Sequence, residues 1–294
     1  MFTVQSPAGR LGHSFHAPAS WDEVRSLLAQ HGTEAAVSGG ATYLMWRAAR
    51  GEPMPPHLIS LHRIPEHDEV RDGSVGALAT LRRVERGPAT GAQRALTMAA
   101  SVTAGPSVRT LATVGGNLAS GFPQADLVPA LLALDVSVHL GDGRRVPITE
   151  VIDEGLRTDD LVTRVTHEPA DGVGWTGATV KLARRGMDFS IATVSAVLRI
   201  EDDEILAARV AVGSLFERPA RLREIESALV GADLSEETIR ELLDFVRITG
   251  KFLDDEEATA HYRQRIAGAA VRKTLLLAAR LGPDGVPGVG QARM

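Results

Sequence analysis

Two glycine pairs constrain the fold of this 294-residue sequence more than any other feature. Gly39-Gly40 precedes a helical run, and Gly115-Gly116 lies within the segment TVGGNLAS, with Asp126 ten residues after the second pair. Glycine adopts positive φ without strain and lets a large ligand approach main-chain N–H groups closely. Successive N–H groups in such a turn, or at a helix start, bind phosphate through their dipoles. The pairs therefore indicate either plain turns or a backbone site for an anionic ligand, and one pair alone favours the turn.

Hydrophobic periodicity predicts short strands alternating with helices over the first eighty or so residues, which favours α/β packing there. Pro18 and Ser20 mark the start of a predicted helix over 18–31, and a short strand is expected to end near Val37. We expect a helix over 92–103, an irregular glycine-rich stretch over 104–123 and a helix over 124–134. Several strands are expected after Gly155. In the last third of the chain the pattern predicts helices over 217–230, 235–249 and 256–280.

Composition excludes several classes of protein. The chain has no cysteine, so it forms no disulfide, uses no thiolate and holds no iron–sulfur cluster itself. Its formal net charge is −5 and its basic residues are scattered, which argues against a nucleic-acid partner. The sequence shows no pattern of a signal peptide and no apolar run long enough for a membrane span. A cytoplasmic location is the expectation.

Common catalytic and nucleotide motifs are missing. The sequence contains neither G-x-G-x-x-G after a strand nor G-x-x-x-x-G-K-[ST], and it lacks H-E-x-x-H and G-x-S-x-G. His57, His62 and His67 recur at intervals of five, which does not place them on one helical face, so we predict no metal site. The basic segment that contains Lys181 and Arg184 is either a solvated face or a surface against an anionic ligand, and periodicity does not choose between them.

Seven segments occur in the order expected of one family, and together they cover roughly residues 13–280. They include AAVSGGATYL, VRTLATVGGNLAS, PQADLVPALLALDVSVHL and KLARRGMDFSIATVSAVLRI. The chain resembles the FAD-binding medium subunit of the molybdenum hydroxylases, the family of carbon monoxide dehydrogenase and xanthine dehydrogenase. The resemblance implies an α+β protein: a two-subdomain FAD-binding module of the PCMH type, followed by a C-terminal CO-dehydrogenase-flavoprotein-like α+β domain. The implied bounds are 1–55 and 56–177 for the two subdomains, 178–281 for the C-terminal domain and 282–294 for a flexible tail.

The resemblance also implies a site for non-covalently bound FAD. Its pyrophosphate would lie across the first glycine turn, formed by Ala36, Val37, Ser38, Gly39, Gly40, Ala41, Thr42 and Tyr43. It would also contact the second turn, formed by Thr113, Val114, Gly115, Gly116 and Asn117. Asp126 would accept hydrogen bonds from ribityl or adenosine hydroxyls, Lys181 would lie near the flavin ring, and Leu161 would pack on the cofactor. Gly116→Val is then expected to abolish binding by filling the cofactor's path and forbidding positive φ, and Asp126→Ala to weaken it with less damage to folding.

Some positions depart from the family pattern. Thr103 stands where relatives often carry an aromatic residue that stacks on adenine, and Thr110 replaces a common asparagine. The helix after the first turn carries the bulky residues Tyr43, Met45 and Trp46. No histidine follows the first glycine pair and the chain has no cysteine, so a covalent flavin link is not expected.

The implied function is that of an electron-transfer subunit, an FAD-dependent oxidoreductase that works within a complex. A large molybdopterin-binding subunit would hold the molybdenum cofactor and oxidise the substrate, and a small 2Fe-2S subunit would pass electrons to FAD. NAD+, oxygen or a quinone would receive them. Two alternatives remain open: a free-standing FAD-dependent oxidoreductase acting on a small metabolite, and a flavin-free scaffold. No residue is nominated as catalytic, and no metal ligand is expected in this chain.

Overall fold

The described part of the chain forms three β-sheets, each with helices packed against it. The computed structural model describes residues 2–4, 13–168, 174–202, 204–233, 235–245 and 248–281. The predicted tail over 282–294 lies outside the described residues, as does the stretch over 169–173 that precedes the predicted C-terminal domain. The sheets contain four, five and four strands, and the helices are interspersed among them along the chain. The α+β class predicted from the sequence is confirmed.

The first unit is a four-stranded sheet with the order β1-β2-β4-β3. Strand β1 is antiparallel to β2, whereas β2, β4 and β3 run parallel. Its elements are β1 (Phe2–Val4), β2 (His13–His16), α1 (Trp21–His31), β3 (Ala35–Ser38), α2 (Thr42–Ala49) and β4 (His57–Ser60).

Helix α1 begins three residues later than predicted because Ser20 caps it. The Ser20 hydroxyl accepts from the Glu23 backbone N–H at 3.3 Å, and the Glu23 carboxylate accepts from the Ala19 N–H at 2.8 Å. The first bond satisfies one of the N–H groups that a helix start leaves without partners, and the second ties the first turn of α1 to the residue before the cap. The apolar side of α1, with Val24 and Leu28, packs on Ile59 of β4. This packing fixes α1 on one face of the first sheet.

Strand β4 lies at the centre of the first sheet, since it pairs with both β2 and β3. The subdomain boundary expected at residue 55 therefore falls between two strands of one sheet. Leu61, which follows β4, belongs to the same apolar cluster as α1. The first structural unit thus continues into the sixties of the sequence.

The second unit is a five-stranded antiparallel sheet with the order β5-β6-β9-β7-β8. Its helices pack their apolar sides into one large core with the sheet. The elements are β5 (Val70–Arg71), β6 (Ser74–Gly76), α3 (Leu81–Glu85), α4 (Arg94–Val102), α5 (Pro106–Arg109), α6 (Val114–Ala119), α7 (Val128–Ala133), β7 (Ser137–Leu140), β8 (Arg145–Pro147), α8 (Ile148–Glu154) and β9 (Val162–Thr166).

The stretch over 104–123 is not irregular throughout, as the sequence predicted. It contains the short helices α5 and α6, and the second glycine pair lies inside α6 rather than in a turn. Pro106 occupies the start of α5, where its missing N–H costs nothing. Thr113 caps α6, since its hydroxyl accepts from the Gly116 N–H at 3.1 Å. The helix propensities of its residues do not predict α6, because two consecutive glycines disfavour a helix interior.

The third unit is a four-stranded antiparallel sheet with the order β10-β11-β12-β13. Helix α9 starts later than predicted because Pro219 and the short strand β13 occupy the residues before it. The start of α11 also lies later than predicted, after the Thr259 hydroxyl, which accepts from the Tyr262 N–H at 3.2 Å. The elements are β10 (Trp175–Leu182), β11 (Ala192–Glu201), β12 (Glu204–Gly213), β13 (Ala220–Arg221), α9 (Arg223–Leu229), α10 (Glu236–Phe245) and α11 (Ala260–Leu281).

The third sheet is covered on both faces. Helices α4 and α7 of the second unit lie against strands of this sheet on one side, and α9 and α11 pack on its strands within a separate core. Residues 192–198 of β11 are consequently buried without interruption, since side chains on both faces of the strand are covered. Among the described helices, none combines the length and the apolar character needed to cross a membrane.

Candidate functional site

A cavity of about 720 Å³ lies where the three units meet. A cavity of this size is within the range of small-molecule and cofactor pockets. The first unit contributes the loop between β3 and α2, the second unit contributes α6 and the segment that follows it, and the third contributes the end of β10 and the segment after it. Thirteen of the residues predicted from the resemblance line it and three do not. The site residues it brings together include Ala36, Val37, Ser38, Gly39, Gly40, Ala41, Thr42, Tyr43, Thr113, Gly116, Asn117, Asp126 and Lys181.

Val114, Gly115 and Leu161 do not line this cavity. Val114 and Gly115 are buried in α6, and Leu161 belongs to the apolar cluster between α1 and the first sheet. Leu161 also packs against Gly141, where an added Cβ would lie 3.2 Å from the Leu161 Cβ. The structure therefore gives these three residues roles in the core.

The loop from β3 to α2 presents a helix N-terminus to the cavity. Ala41, the residue before α2, adopts a left-handed conformation with φ 55° and makes no side-chain cap. The first N–H groups of a helix have no intrahelical acceptor, and here no capping side chain covers them. They carry partial positive charge, which suits an anionic group.

The two glycine pairs do not provide positive φ, contrary to the expectation from the sequence, and three of their four residues serve close packing. None of the four has a positive φ; Ala41 has. A Cβ atom at Gly40 would overlap the Leu111 carbonyl oxygen, and one at Gly115 would lie 2.8 Å from the Ala77 Cβ. Gly40 therefore lets the first loop lie directly on the segment before α6.

Gly116 differs from the other three glycines because it faces the cavity. It is exposed, and an added Cβ would meet only the Thr113 hydroxyl, at 3.0 Å. Asn117, the next residue, accepts from the Leu127 N–H at 3.3 Å and so ties α6 to the segment that holds Asp126. The glycine at 116 leaves open space for a ligand against the first turn of α6.

Asp126 is buried, and each of its carboxylate oxygens contacts a side chain of the third unit. One of its oxygens lies 2.8 Å from the Lys181 ammonium, and the other accepts from the Thr193 hydroxyl at 2.6 Å. Lys181 on β10 pairs directly with Thr193 on β11, so both side chains project from the same face of the sheet. The Lys181 ammonium also donates to the Val102 carbonyl at 3.3 Å. A carboxylate accepts about four hydrogen bonds, so Asp126 retains acceptor capacity for a ligand hydroxyl.

Four aromatic rings form one wall of the cavity. Tyr43 and Trp46 stack with centroids 5.7 Å apart and planes at 16°, and Phe122 and Phe189 contact Trp46 at 5.4 Å and 5.1 Å. Burial raises the pKa of the Tyr43 hydroxyl. The sequence drew attention to Tyr43 and Trp46 as bulky residues, but it gave no role to Phe122 or Phe189. The sequence gave only a partial signal: Phe189 lies inside a segment that carries the family resemblance, and Phe122 lies between two such segments.

Thr103, which stands in place of an adenine-stacking aromatic residue, lines the cavity. Its hydroxyl donates to the Ala99 carbonyl at 2.8 Å, so this polar group is turned toward α4. Arg109 donates to the carbonyls of Thr103 at 3.2 Å and Ala104 at 2.7 Å, and its guanidinium contacts Glu85 at 3.2 Å. These bonds hold the Thr103–Ala104 turn at the cavity wall.

Charged side chains join the units at the cavity rim. Arg184 lines the cavity and pairs with Glu257 at 2.7 Å, and Arg50 of the first unit contacts Glu256 at 2.5 Å. The Arg50 guanidinium also lies 4.8 Å from the Trp46 ring centroid. The basic segment that contains Lys181 and Arg184 thus borders the cavity.

The residues present fit a dinucleotide cofactor. An uncapped helix N-terminus suits a pyrophosphate, an aromatic wall suits a flat ring, and a carboxylate with spare acceptor capacity suits hydroxyl groups. Gly116 leaves the space that a side chain would fill. All four features lie in one cavity.

Comparison with known proteins agrees with this geometry. Residues 10–166 match the model of the FAD binding domain in molybdopterin dehydrogenase, and residues 178–278 match the CO dehydrogenase flavoprotein C-terminal domain. The carbon monoxide dehydrogenase medium chain of Hydrogenophaga pseudoflava is 27% identical over 274 residues, which covers 89% of this chain and 95% of the relative. The nicotine 6-hydroxylase medium subunit of Paenarthrobacter nicotinovorans is 28% identical, with 89% and 95% covered.

Solved structures share the fold over almost the whole chain. A structure of carbon monoxide dehydrogenase from Hydrogenophaga pseudoflava matches with a TM-score of 0.84 and 26% identity, covering 91% of this chain and 97% of that one. Quinoline 2-oxidoreductase from Pseudomonas putida matches with a TM-score of 0.80 and 25% identity, covering 91% and 96%. The predicted order of an FAD-binding module followed by a flavoprotein C-terminal domain is confirmed. The chain belongs to the family of FAD-binding medium subunits of the molybdenum hydroxylases.

Proposed function

We propose that this chain holds one FAD non-covalently and passes electrons from iron–sulfur clusters of a partner subunit to an external acceptor. The observation that carries the proposal is the convergence, in one cavity, of the α2 N-terminus, Gly116, the Asp126–Lys181 pair and the aromatic wall. Bound FAD would supply the redox chemistry, which no side chain of the site provides.

The first loop and α2 would hold the pyrophosphate. The backbone from Ala36 to Tyr43 borders the cavity, and the uncapped start of α2 offers N–H groups and the positive end of the helix dipole. The first turn of α6, with Thr113, Gly116 and Asn117, lies beside this loop, because Gly40 permits close contact with the preceding segment. A pyrophosphate in this position would lie between two helix starts.

The paired residues Asp126 and Lys181 would contact two parts of the cofactor. Asp126 would contact the sugar or ribityl hydroxyls, and Lys181 would lie near the ring system. Each group neutralises the other across 2.8 Å in a buried setting, so the site offers an acceptor and a cation without a net buried charge. We propose that Asp126 accepts from a ligand hydroxyl while it stays paired, and that Lys181 places positive charge near the ring. A cation there stabilises negative charge on a reduced ring.

The aromatic wall would contact a flat ring of the cofactor. Trp46, Phe122 and Phe189 present apolar surface within the cavity, where apolar and ring–ring contacts favour a planar ligand. The Thr103–Ala104 turn would contact the adenine without stacking on it. We propose that the predicted site residues contact this one ligand, except the core residues Val114, Gly115 and Leu161.

The proposed partners are a large molybdopterin-binding subunit and a small 2Fe-2S subunit. Similar proteins bear the names medium chain or medium subunit, which imply companion chains. Because this chain has no cysteine, the iron–sulfur clusters would have to be held by another subunit. We propose NAD+ or oxygen as acceptor and a cytoplasmic location. We also propose domain bounds of 1–63 and 64–177 for the two FAD-binding subdomains, the first extended to include all of its sheet, and 178–281 for the C-terminal domain.

The test is to isolate the chain with its companions from its native host and to measure molybdenum, iron and FAD per chain. The proposal predicts stoichiometric molybdenum and iron with one FAD. A chain that carries FAD but elutes alone, without either metal, and that oxidises a small metabolite by itself would support the free-standing oxidoreductase instead. A folded chain without flavin would support the scaffold.

A further inference from the structure

Three histidines that are far apart in sequence converge on one face of the first sheet. His16 ends β2, His57 begins β4 and His31 ends α1. In the β2–β4 pairing Ser14 lies opposite His57 and His16 lies opposite Ile59, so His16, His57 and Ile59 project from the same face. Ile59 packs on α1, which places this face beneath the helix whose last residue is His31.

The three imidazoles are close enough to share one ligand. The His16 Nε2 lies 3.1 Å from the His57 Nδ1, and the His31 and His57 rings stack with centroids 3.6 Å apart. One ring nitrogen of each residue lies within 4.8 Å of the others. Two nitrogens that bind one tetrahedral zinc ion at about 2.0–2.1 Å lie about 3.3–3.4 Å apart. The His16 and His57 nitrogens are already at 3.1 Å, and side-chain adjustments of about 1.4 Å or less would bring all three imidazoles onto one ion.

The surroundings favour a transition-metal cation. The C-terminal end of α1, where His31 lies, carries the negative end of the helix dipole. The cluster contains three histidines and no carboxylate. Neutral imidazole ligands select zinc, copper, nickel or cobalt rather than magnesium or calcium.

We propose that His16, His31 and His57 form a binding site for a divalent transition-metal ion of the zinc class. The ion would join the end of α1 to β2 and β4 and leave a fourth coordination position for water. The site is separate from the cofactor cavity. His57 lies beside Ala35 at the start of β3, whereas the glycine loop follows the other end of that strand. A metal ion here would hold together the end of the first unit that lies away from the glycine loop.

The test is calorimetric titration of the full-length chain, purified without a histidine tag and freed of metal by chelation, with zinc sulfate. The proposal predicts one zinc per chain and a rise in the melting temperature. It also predicts that His31→Gln weakens binding at least about tenfold, which is about 1.4 kcal/mol. His31 is the last residue of α1 and only partly buried, so this variant is expected to fold.

His62→Gln is the matched control, because His62 lies near His57 in sequence but bonds to Ser60 at 3.0 Å and does not belong to the cluster. The control should bind zinc as the wild type does. Absence of saturable zinc binding to the wild type would overturn the proposal. Equal zinc affinity of the wild type and a folded His31→Gln variant would overturn it as well. Cobalt offers a second readout, since a tetrahedral site gives it visible absorption bands that the His31→Gln variant should lack.

Discussion

Asp126 forms a buried ion pair with Lys181, across 2.8 Å and between residues that belong to different structural units. Less than a tenth of either side chain is exposed. The Thr193 hydroxyl completes the arrangement at 2.6 Å from the second carboxylate oxygen. The pair therefore holds the cavity wall together as well as offering groups to a ligand. This dual role changes what substitution of Asp126 should do.

We expect Asp126→Ala to destabilise the fold strongly, in contrast to the mild effect expected from the sequence. Removal of one partner of a buried pair leaves an uncompensated charge, which costs about 3–5 kcal/mol. Urea unfolding of the variant measures this loss. The double variant Asp126→Asn with Lys181→Met leaves no charge and should recover most of the lost stability. Full stability of Asp126→Ala would contradict the pair's structural role.

The double variant separates folding from ligand binding. If the charges also contact FAD, the double variant should be folded yet bind FAD more weakly, by at least about tenfold. Fluorescence titration with FAD measures the affinity. Wild-type affinity in this variant would remove both residues from the binding site.

Gly116→Val should remove FAD binding with little effect on stability. The added side chain would project into the cavity, where only the Thr113 hydroxyl lies near, and valine is no worse than glycine inside a helix. Positive φ plays no part in this expectation, since Gly116 does not adopt it. Flavin retained after gel filtration measures the effect.

Gly40→Ala, in contrast to Gly116→Val, should destabilise the fold. Its Cβ would overlap the Leu111 carbonyl oxygen, which is backbone and cannot easily move. We expect a loss of about 1–3 kcal/mol or more in the free energy of unfolding, as for other overpacked sites. A melting temperature equal to that of the wild type would show that the two loops are not in close contact.

Trp46 should report FAD binding directly. Of the three tryptophans, only Trp46 lines the cavity. FAD at the aromatic wall should quench tryptophan fluorescence in the wild type and in Trp175→Phe, and much less in Trp46→Phe. Equal quenching in Trp46→Phe would place the flavin away from this wall.

His167 should make stability fall in weak acid. Burial lowers its pKa and outweighs the opposite effect of the hydrogen bond that its Nδ1 donates to the Glu168 carbonyl at 2.7 Å. The unfolded chain therefore binds the proton more readily. The stabilisation is complete above the unfolded pKa of about 6.5 and is lost as the pH falls toward the lower pKa of the folded state.

Urea unfolding between about pH 8 and about pH 5 tests this effect. The wild type should lose more stability over this range than His167→Asn, by at most about 1.4 kcal/mol per pH unit. Equal slopes for the two proteins would show that His167 does not titrate differently in the folded and unfolded states.

Local pattern predicted those elements whose signals lie within a few residues. The apolar stripe of α1 and the β-branched run of β11 were both visible in the sequence. Helix α6 was not, because Gly115 and Gly116 weaken the helical signal and the Thr113 cap supplies the compensation. The resemblance implied a boundary at residue 55, yet β4, which follows this position, pairs with two strands that precede it.

The site residues that could be predicted were those that the family resemblance implied. The glycine loops, Asp126 and Lys181 could be named from motifs, but the contact between Asp126 and Lys181 depends on tertiary packing of residues 55 positions apart in the sequence. Phe122 and Phe189 join the site only through tertiary packing. The histidine cluster shows the same limit: the regular spacing of His57, His62 and His67 had no structural meaning, whereas His57 meets two histidines from other elements.

The most direct test of FAD binding in this cavity is the flavin content of the purified full-length chain. The chain is incubated with FAD, passed through gel filtration and denatured, and the released flavin is measured per chain. We expect one FAD per wild-type chain and almost none in folded Gly116→Val. A folded wild-type chain that retains no flavin, or a Gly116→Val variant that retains one per chain, would contradict the assignment of the cavity to FAD.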